Sequence, residues 1–398
     1  MAIMEQLIAQ NRKLGAAKAA KQDEFYTRYV DIQKEVEAYL EFDPDTFRGK
    51  VVYCNCDDPF ESNFFKYFAA NFNKLRLKKL VTTSYDGSPI AGAQLTFGEY
   101  DEGNGKRQKP KAIAVEIEEV NDVNGDGATG IEDVRLFLER NPHTRTPLAQ
   151  GGDFRSAECV ELLKQSDIVV TNPPFSLFRE YVALLVKHRK KFLIIANKNA
   201  ITYKEIFPLI KGNKLWMGVT AFSGGMWFVA DYMGKYEKVV DGVKLINVPA
   251  IWFTNLDHGR RHQELPLMTT EENLRFSKHK EIKGRAAYDR YDNYDAIEVP
   301  FTDAIPSDYN GAMGVPISFL DKYNPDQFEI LGTTESNEPD NARRTRVYTS
   351  RECRDAYRKR FGKPGVYDLN ASGVVDGVKV FKRVLIRRRA RPARRTKK

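Results

Sequence analysis

The sequence has few cysteines and no pattern among them. Four occur in 398 residues, and only the first two are close together: Cys54, Cys56, Cys159 and Cys353. Secreted domains that depend on disulfides carry more cysteines in a much shorter chain. The sequence therefore predicts no disulfide framework and a protein of the reducing cytoplasm.

Long apolar runs are also missing. No stretch approaches the roughly 20 apolar residues of a membrane-spanning helix, and residues 1–22 lack the apolar block of a secretory signal peptide. We therefore expect neither secretion nor membrane insertion, and no membrane partner.

Motifs for metals and nucleoside triphosphates are not found. The five histidines follow no metal-ligand spacing, and Cys54 and Cys56 lack the second ligand pair of a zinc site. Residues 122–133 begin like an EF-hand calcium loop, but Asp133 stands where a bidentate glutamate is expected, so a turn before a helix fits better. No loop ends in Gly-Lys-Ser or Gly-Lys-Thr, which disfavours an ATP-driven motor. The sequence predicts no bound metal.

Positive charge is concentrated at the end of the chain. The formal net charge is +9, and residues 382–398 contain ten Lys and Arg and no acid. The remaining residues are nearly balanced, with 53 basic and 54 acidic side chains. Such a segment attracts polyanions by releasing their counterions, although a solvated tail that only aids solubility has the same composition. We expect residues 382–398 to be a basic disordered tail and residues 1–22 a basic N-terminal extension.

Between these ends the sequence predicts an α/β fold. Apolar strand segments that end in polar turns alternate with segments whose apolar residues recur at helical spacing. Strands are expected at residues 50–54, 80–84, 167–171 and 192–196, and helices at 64–75, 132–140 and 177–185. The alternation predicts a doubly wound, mostly parallel sheet that binds ligands beyond the carboxyl ends of its strands.

Two segments depart from the alternation. Residues 87–150 are predicted to be an insertion that contains a hairpin at 94–120. Strand-rich and irregular sequence begins near residue 213 and continues to the tail. We therefore predict one domain over residues 23–212 and a second over 213–381.

The most informative tetrapeptide is Asn172-Pro173-Pro174-Phe175, directly after a predicted strand. Consecutive prolines hold the backbone extended and remove two amide donors, so nearby carbonyl oxygens stay available as acceptors. The Asn172 side-chain oxygen and the Pro173 carbonyl can accept both hydrogens of a planar exocyclic amine, which favours a tetrahedral nitrogen whose lone pair attacks an electrophile. Phe175 would stack on the ring that bears the amine. A proline-stiffened loop is the alternative interpretation.

In this position the tetrapeptide resembles the catalytic motif of S-adenosylmethionine-dependent methyltransferases that act on planar amino groups. Further blocks in order resemble the EcoRI methylase-like family of adenine-specific DNA methyltransferases: DEFYT at 23–27, CDDP at 56–59, SNF at 62–64, WFTNL at 252–256 and MGVPISFL at 313–320. The resemblance covers residues 23–388. It implies a Rossmann-like methyltransferase core over residues 23–212 and a target-recognition region over 213–381.

The resemblance also implies a binding site for S-adenosylmethionine. Its members would be Phe25, Tyr26, Thr27, Asp57, Asp58, Pro59, Asn63, Phe64, Asp86, Asp153 and Phe154. Asp86 would bond the ribose and Asp153 the adenine of the cofactor, although each lone carboxylate can equally be a turn or cap residue. Ser62 and Asn63 stand where glycines are usual after Asp-Pro, which leaves the geometry of this loop open.

The implied substrate is the N6 amino group of adenine in double-stranded DNA. An adenine inside a duplex cannot reach such a pocket, so the nucleotide is expected to flip out. Arg260, Arg261 and His262 are candidates for contacts to phosphates or guanines, with solvated surface charge as the alternative. We expect a monomer, and a cognate restriction endonuclease is a further partner that the resemblance suggests.

Two other functions stay open from the sequence. Glutamine amides in proteins and amino groups in RNA are also planar and can be held by the same motif. A DNA-binding protein that kept the fold but lost the cofactor is the alternative from a different class. The missing glycines near Ser62 are its only support.

Overall fold

The computed structural model describes residues 26–56, 62–86, 112–122, 131–141, 144–220, 222–230, 236–334, 343–364 and 373–389. They divide into two units. Unit 1 holds the described residues up to Ile210 together with Lys214–His258, and unit 2 holds Lys211–Asn213 together with the described residues from Gly259 onward.

An eight-stranded mixed sheet forms the centre of unit 1. Its strands in spatial order are β5 (Arg145–Pro147), β4 (Ile113–Ile117), β3 (Lys79–Thr83), β2 (Val51–Asn55), β6 (Ile168–Thr171), β7 (Lys191–Asn197), β12 (Ala250–Thr254) and β8 (Trp216–Met217). The four central strands β3, β2, β6 and β7 run parallel, and the flanking strands pair antiparallel. The predicted α/β fold with a parallel sheet centre is confirmed.

The predicted insertion at residues 87–150 is wrong in part. β4 pairs with β3, and β5 pairs with β4, so this segment supplies two strands of the central sheet. Val115 and Ile117 of β4 are fully buried, and this apolar face explains why the strand joins the sheet. The rest of the predicted hairpin, up to residue 111, lies outside the described residues.

Helices pack around this sheet. Those of unit 1 are α1 (Tyr29–Phe42), α2 (Asn63–Ala70), α3 (Phe72–Leu75), α4 (Ile131–Arg140), α5 (Ala157–Gln165), α6 (Phe178–Lys187) and α7 (Phe207–Lys211). α2 begins where the Ser62 hydroxyl accepts hydrogen bonds from the N–H groups of Phe64 and Phe65. Both rings and that of Phe68 are buried in the core, as their helical spacing predicts. Each such burial contributes about 1.5–3 kcal/mol, so packing holds α2 more firmly than its cap.

A second sheet of unit 1 contains the first described residues. Its antiparallel strands in spatial order are β1 (Tyr26–Thr27), β9 (Met226–Val229), β11 (Val243–Val248) and β10 (Lys238–Val240). Because β8 to β12 all pair within unit 1, residues 214–258 belong to the first unit. The sequence-based boundary near residue 213 therefore lies too early.

Unit 2 contains a four-stranded sheet and a hairpin. The sheet order is β13 (Ile297–Glu298), β14 (Met313–Pro316), β18 (Arg383–Arg388) and β15 (Phe328–Thr333), and the hairpin is β16 (Gly373–Val375) with β17 (Val378–Val380). Its α-helices are α8 (Thr270–Phe276) and α9 (Ser350–Phe361). Across both units, no helix of the described residues is long and apolar enough to cross a bilayer.

The predicted disordered tail is wrong for residues 383–389. β18 pairs with β14 on one side and β15 on the other, so it is an interior strand. Residues 384–386 are buried, and Arg383 forms an ion pair with Glu298. A basic segment is ordered here because an apolar triplet enters the core and its first arginine meets a carboxylate. Residues 390–398 lie outside the described residues.

Candidate active site

Hydrogen bonds donated by side-chain hydroxyls join the carboxyl ends of β2, β3 and β6. The Thr83 hydroxyl donates to Asn55 Oδ1 at 3.1 Å, and the Thr171 hydroxyl donates to the Asn55 backbone oxygen. All three residues are buried. Buried polar groups with partners hold a unique geometry, so the edge from which ligands are expected to bind is preorganised.

The tetrapeptide Asn172-Pro173-Pro174-Phe175 leaves this edge directly after β6. Asn172 is half-buried, and the Pro174 carbonyl accepts a hydrogen bond from the N–H of Leu177 at 2.9 Å. That bond closes a 3₁₀ turn over Phe175–Leu177, which leads into α6. Phe175 is only 8% exposed and packs with the core. The asparagine therefore follows the end of the strand at a half-buried position, and the phenylalanine packs in the core.

Two of the predicted cofactor segments meet at the start of α2. Asn63 Nδ2 donates to the Thr27 backbone oxygen at 2.8 Å, which holds β1 against the helix. The Thr27 hydroxyl is buried and bonds to no described residue. Tyr26 beside it is half-buried, and Phe64 packs edge-on against Trp252 at 5.9 Å between ring centroids.

Four predicted cofactor residues cannot be placed. Phe25 precedes the first described residue, and Asp57, Asp58 and Pro59 fall in the gap before Ser62. Cys56, the last residue before that gap, has a positive φ of 62°, so the backbone turns sharply as it leaves β2.

Asp86 lies against the loop that carries Asp153. The N–H of Asp86 donates to the Gly151 oxygen at 2.9 Å, and Asp86 Oδ1 accepts a hydrogen bond from the N–H of Ala112 at 2.6 Å. Gly152 has a φ of +69°, and a Cβ there would lie 2.0 Å from the Ser84 oxygen. Only glycine fits this approach, so the two acidic residues predicted to bind the cofactor nucleoside lie on loops in contact.

The Asp153 carboxylate is engaged by a neighbour. Arg155 donates to both of its oxygens, at 2.9 and 2.7 Å, and also pairs with Glu180 at 2.9 Å. These hydrogen bonds from Arg155 hold the pKa of Asp153 below its usual value. Phe154 is buried and packs edge-on against Tyr181, with 5.0 Å between centroids.

The three predicted DNA contacts lie in a 3₁₀ turn of unit 2, Gly259–His262. Arg260 pairs with Asp321 at 2.5 Å, and Arg261 is 7% exposed and donates to Asn213. His262 is the most accessible, with 40% of its side chain exposed. The two arginines thus form bonds within the unit, and the more exposed histidine has its Nδ1 4.0 Å from Asp326 Oδ2.

Sequence analysis missed several residues that shape the site. Asn55 and Thr83 are the polar last residues of two apolar strands, which is a signal that could have singled them out. Glu35 of α1 carried no such signal. It is fully buried and accepts hydrogen bonds from the N–H groups of Val219 and Thr220, both at 2.7 Å, and burial raises its pKa. It ties the loop before β9 to α1.

This geometry defines an α/β fold with a buried, hydrogen-bonded polar edge at the carboxyl ends of its parallel strands, where ligands are expected to bind. Residues 13–389 match the family described as adenine-specific methyltransferase EcoRI. The chain therefore belongs to this family, and its activity is that of a site-specific adenine DNA methyltransferase.

The similarity to three named relatives extends over most of the chain. Type II methyltransferase M.EcoRI of Escherichia coli is 45% identical over 335 residues, which cover 81% of this chain and 89% of the relative. Type II methyltransferase M.MpnI of Mycoplasma pneumoniae is 39% identical over 79% of this chain and 83% of the relative. Type II methyltransferase M.MgeORF184P of Mycoplasma genitalium is 36% identical over 79% of this chain and 84% of the relative. No solved structure matches the chain.

Proposed function

We propose that the chain transfers a methyl group from S-adenosylmethionine to N6 of an adenine in double-stranded DNA. The observation that carries the proposal is the position of Asn172-Pro173-Pro174-Phe175 at the carboxyl end of β6, beside the joined ends of β2 and β3. Membership in an adenine-specific methyltransferase family supports the same reaction.

The residues near these strand ends fit S-adenosylmethionine by their chemistry. The buried Thr27 hydroxyl, which meets no polar partner among the described residues, suits a polar group of the methionine part. The exposed Asp86 carboxylate suits ribose hydroxyls, and the glycine backbone at 151–152 leaves space beside it. When bound, the cofactor supplies an electrophilic methyl group.

The other predicted cofactor residues support these contacts. Asn63 holds Thr27 in place through its hydrogen bond. Phe64 packs on Trp252 and so holds the start of α2 in the core, and the buried Phe154, next to Asp153 in the sequence, packs on Tyr181. We assign the remaining members of the cofactor site by resemblance alone: Phe25, Tyr26, Asp57, Asp58 and Pro59.

Asn172 and Pro173 hold the amine that is methylated. Their side-chain and backbone oxygens accept its two hydrogens, so the nitrogen lone pair is directed at the methyl carbon. With the donor bound, Asn172 and Pro173 would hold the nitrogen while its new bond to the methyl carbon replaces the C–S bond of the donor, and the N6 proton would pass to solvent. Pro174 keeps the loop extended.

The target adenine has to leave the duplex to reach Asn172, which costs a few kcal/mol of stacking and pairing. Phe175 would replace part of that stacking. Because its ring is 8% exposed, we expect the turn Phe175–Leu177 to shift when the adenine enters.

We propose unit 2 as the region that recognises the target sequence. Its turn Gly259–His262 offers His262 for direct contact with DNA, while Arg260 and Arg261 hold the turn through Asp321 and Asn213. A monomer suffices for transfer to one strand, and the Type II relatives suggest a restriction endonuclease of the same specificity as partner.

The proposal is tested by transfer of labelled methyl groups from S-adenosylmethionine to unmodified genomic DNA, with nucleosides identified by mass spectrometry. We expect N6-methyladenine from the wild type. Asn172→Ala should lose roughly 100-fold or more in turnover, because it removes an acceptor that acts on the reacting nitrogen. Binding of S-adenosylhomocysteine should persist in this variant.

Asn310→Ala is the matched control, since it makes the same change at an exposed position of unit 2. It should methylate at the wild-type rate. Label in protein or RNA instead of DNA would overturn the substrate assignment. Absence of cofactor binding in the wild type would favour a non-catalytic DNA-binding protein.

A further inference from the structure

α9 of unit 2 exposes a stripe of cations. Arg351, Arg354, Arg358 and Lys359 recur at helical spacing and are all exposed, and together they are called here the arginine face of α9. Positions three, four and seven apart share one side of a helix. From Arg351 to Arg358 the stripe runs about 10 Å along the helix axis.

Both ends of the helix are capped. Thr349 and Glu352 form a reciprocal capping box, with N–H to side-chain oxygen distances of 2.7 and 3.2 Å. Gly362 ends the helix in the left-handed conformation, with a φ of 68°. The stripe is therefore presented on a helix with defined first and last turns.

The inner side of α9 packs on the hairpin of the same unit. Cys353 is fully buried, and a Cβ at Gly377, in the turn between β16 and β17, would lie 2.7 Å from the Cβ of Ala356. So close an approach leaves little freedom for the helix to rotate. The packing therefore fixes the direction of the arginine face.

Charge on this face is poorly compensated. The helix has five basic and two acidic residues, and one of the acids, Glu352, is held in the capping box. Arg351 pairs with Asp355 at 3.9 Å and Arg360 with Asp376 at 4.0 Å, whereas Arg358 and Lys359 form no ion pair with any described residue. By contrast, Arg260 and Arg383 of the same unit are paired with carboxylates.

We propose that the arginine face of α9 binds the phosphate backbone of duplex DNA. This inference deepens the proposed function and rests on it. A rigid row of exposed cations, in which Arg358 and Lys359 form no ion pair with a described residue, matches a polyanion with regularly spaced charges, and each neutralised phosphate releases counterions. Phosphate contacts position a protein on the duplex without reading bases, so α9 contributes affinity and orientation, not sequence choice.

The test measures affinity for a fluorescent duplex of arbitrary sequence, about 30 base pairs long, as a function of salt. In the double variant Arg358→Gln/Lys359→Gln, the slope of log K against log salt should fall by about 1.8, at 0.9 per phosphate contact. From about 50 to 200 mM salt, the wild type should then lose roughly tenfold more affinity than the variant.

Lys280→Gln/Lys283→Gln is the matched control, because it removes the same charge from exposed positions elsewhere in unit 2. It should keep the wild-type slope. Arg358→Lys should also keep it, since a lysine still neutralises a phosphate as a point charge. Thermal melting checks that every variant is folded.

A wild-type slope in the α9 variant, or an equal reduction in the control, would overturn the inference. Methyl transfer by the wild type is measured in parallel. If the wild type binds DNA through α9 but transfers no methyl group to it, the proposed reaction fails and the binding surface stands. If it methylates DNA and the α9 variant keeps its slope, only the surface fails.

Discussion

Asn63 Nδ2 donates to the backbone oxygen of Thr27 at 2.8 Å and so joins two segments that are 36 residues apart in the sequence. Thr27 pairs with Phe228 of β9 at the edge of the second sheet. The hydrogen bond therefore fixes the position of Thr27 relative to the start of α2, beside the proposed cofactor site.

Asn63→Ala should weaken binding of S-adenosylhomocysteine about tenfold, because a loss near 1.4 kcal/mol corresponds to that factor. Asn71→Ala is its control. Asn71, at the other end of α2, donates from Nδ2 to the Tyr67 oxygen at 2.9 Å. Each variant should lose about 1 kcal/mol of unfolding free energy, but only the first should lose affinity in calorimetry. Equal affinities would show that the Thr27 hydroxyl does not contact the cofactor.

Thr83→Val should uncouple the ends of β2 and β3. It removes the donor to Asn55 Oδ1 at 3.1 Å and a buried partner of the Tyr53 hydroxyl, also at 3.1 Å, and losing such buried hydrogen bonds costs about 1–3 kcal/mol. We expect lower turnover as well as lower stability. The control is Thr254→Val, where another buried hydroxyl donates to the Phe192 oxygen at 2.7 Å.

Both threonine variants should unfold at a lower denaturant concentration than the wild type. Only Thr83→Val should reduce the single-turnover rate of methyl transfer, since the Phe192 oxygen lies at the amino end of β7. A similar rate loss in both would mean that turnover reports general destabilisation, not the geometry of the strand ends.

Gly152→Ala should displace the loop of Asp153. Its φ is +69°, and the added Cβ would lie 2.0 Å from the Ser84 oxygen. Gly49→Ala is matched in backbone strain, because its φ is +67°, but nothing lies within 4 Å of its Cβ. The control should lose about 1–2 kcal/mol from the left-handed conformation alone.

Gly152→Ala should lose more unfolding free energy than that control, as measured by denaturant unfolding. It should also lose affinity for S-adenosylhomocysteine, as measured by calorimetry. If Gly152→Ala and Gly49→Ala bind S-adenosylhomocysteine equally well, the loop of Asp153 does not contribute to cofactor binding.

Acid should release the cofactor from Arg155→Gln at a higher pH than from the wild type. In the wild type, hydrogen bonds from Arg155 hold the pKa of Asp153 below its usual value. A lowered pKa keeps the carboxylate ionised, and its contribution is lost only as the pH falls through that lowered value. Without the Arg155 side chain the pKa of Asp153 rises, so the loss begins at a higher pH.

The measurement is affinity for S-adenosylhomocysteine between pH 7 and about 4, the region of ordinary carboxylate pKa values. Arg48→Gln, which removes a surface pair with Asp45 at 2.7 Å, should leave the profile unchanged. Superimposable profiles for Arg155→Gln and wild type would show that Asp153 does not bind the cofactor as a carboxylate.

Local patterns predicted much of unit 1. Apolar runs that end in polar turns predict strands at 50–54, 167–171 and 192–196, and the structure has them at 51–55, 168–171 and 191–197. Phenylalanines at helical spacing predict α2. Such periodicity is a property of neighbouring residues, so it can be read without knowing the partners.

The sequence predicts less well the segments whose packing partners are remote along the chain. Composition predicts a charged tail where β18 lies, because ten Lys and Arg outweigh three apolar residues in residues 382–398. Its neighbours β14 and β15 are remote in the sequence and decide its place. Arg261 was expected to reach DNA, and its 7% exposure comes from the fold around it.

The sequence by itself determined the order of strands and helices, the family, and the tetrapeptide that follows β6. Only the tertiary structure decided which polar groups meet. Asn55 binds hydroxyls from Thr83 and Thr171, which are 28 and 116 residues away. A hydrogen bond depends on distances between atoms in space, and no spacing along the chain records them.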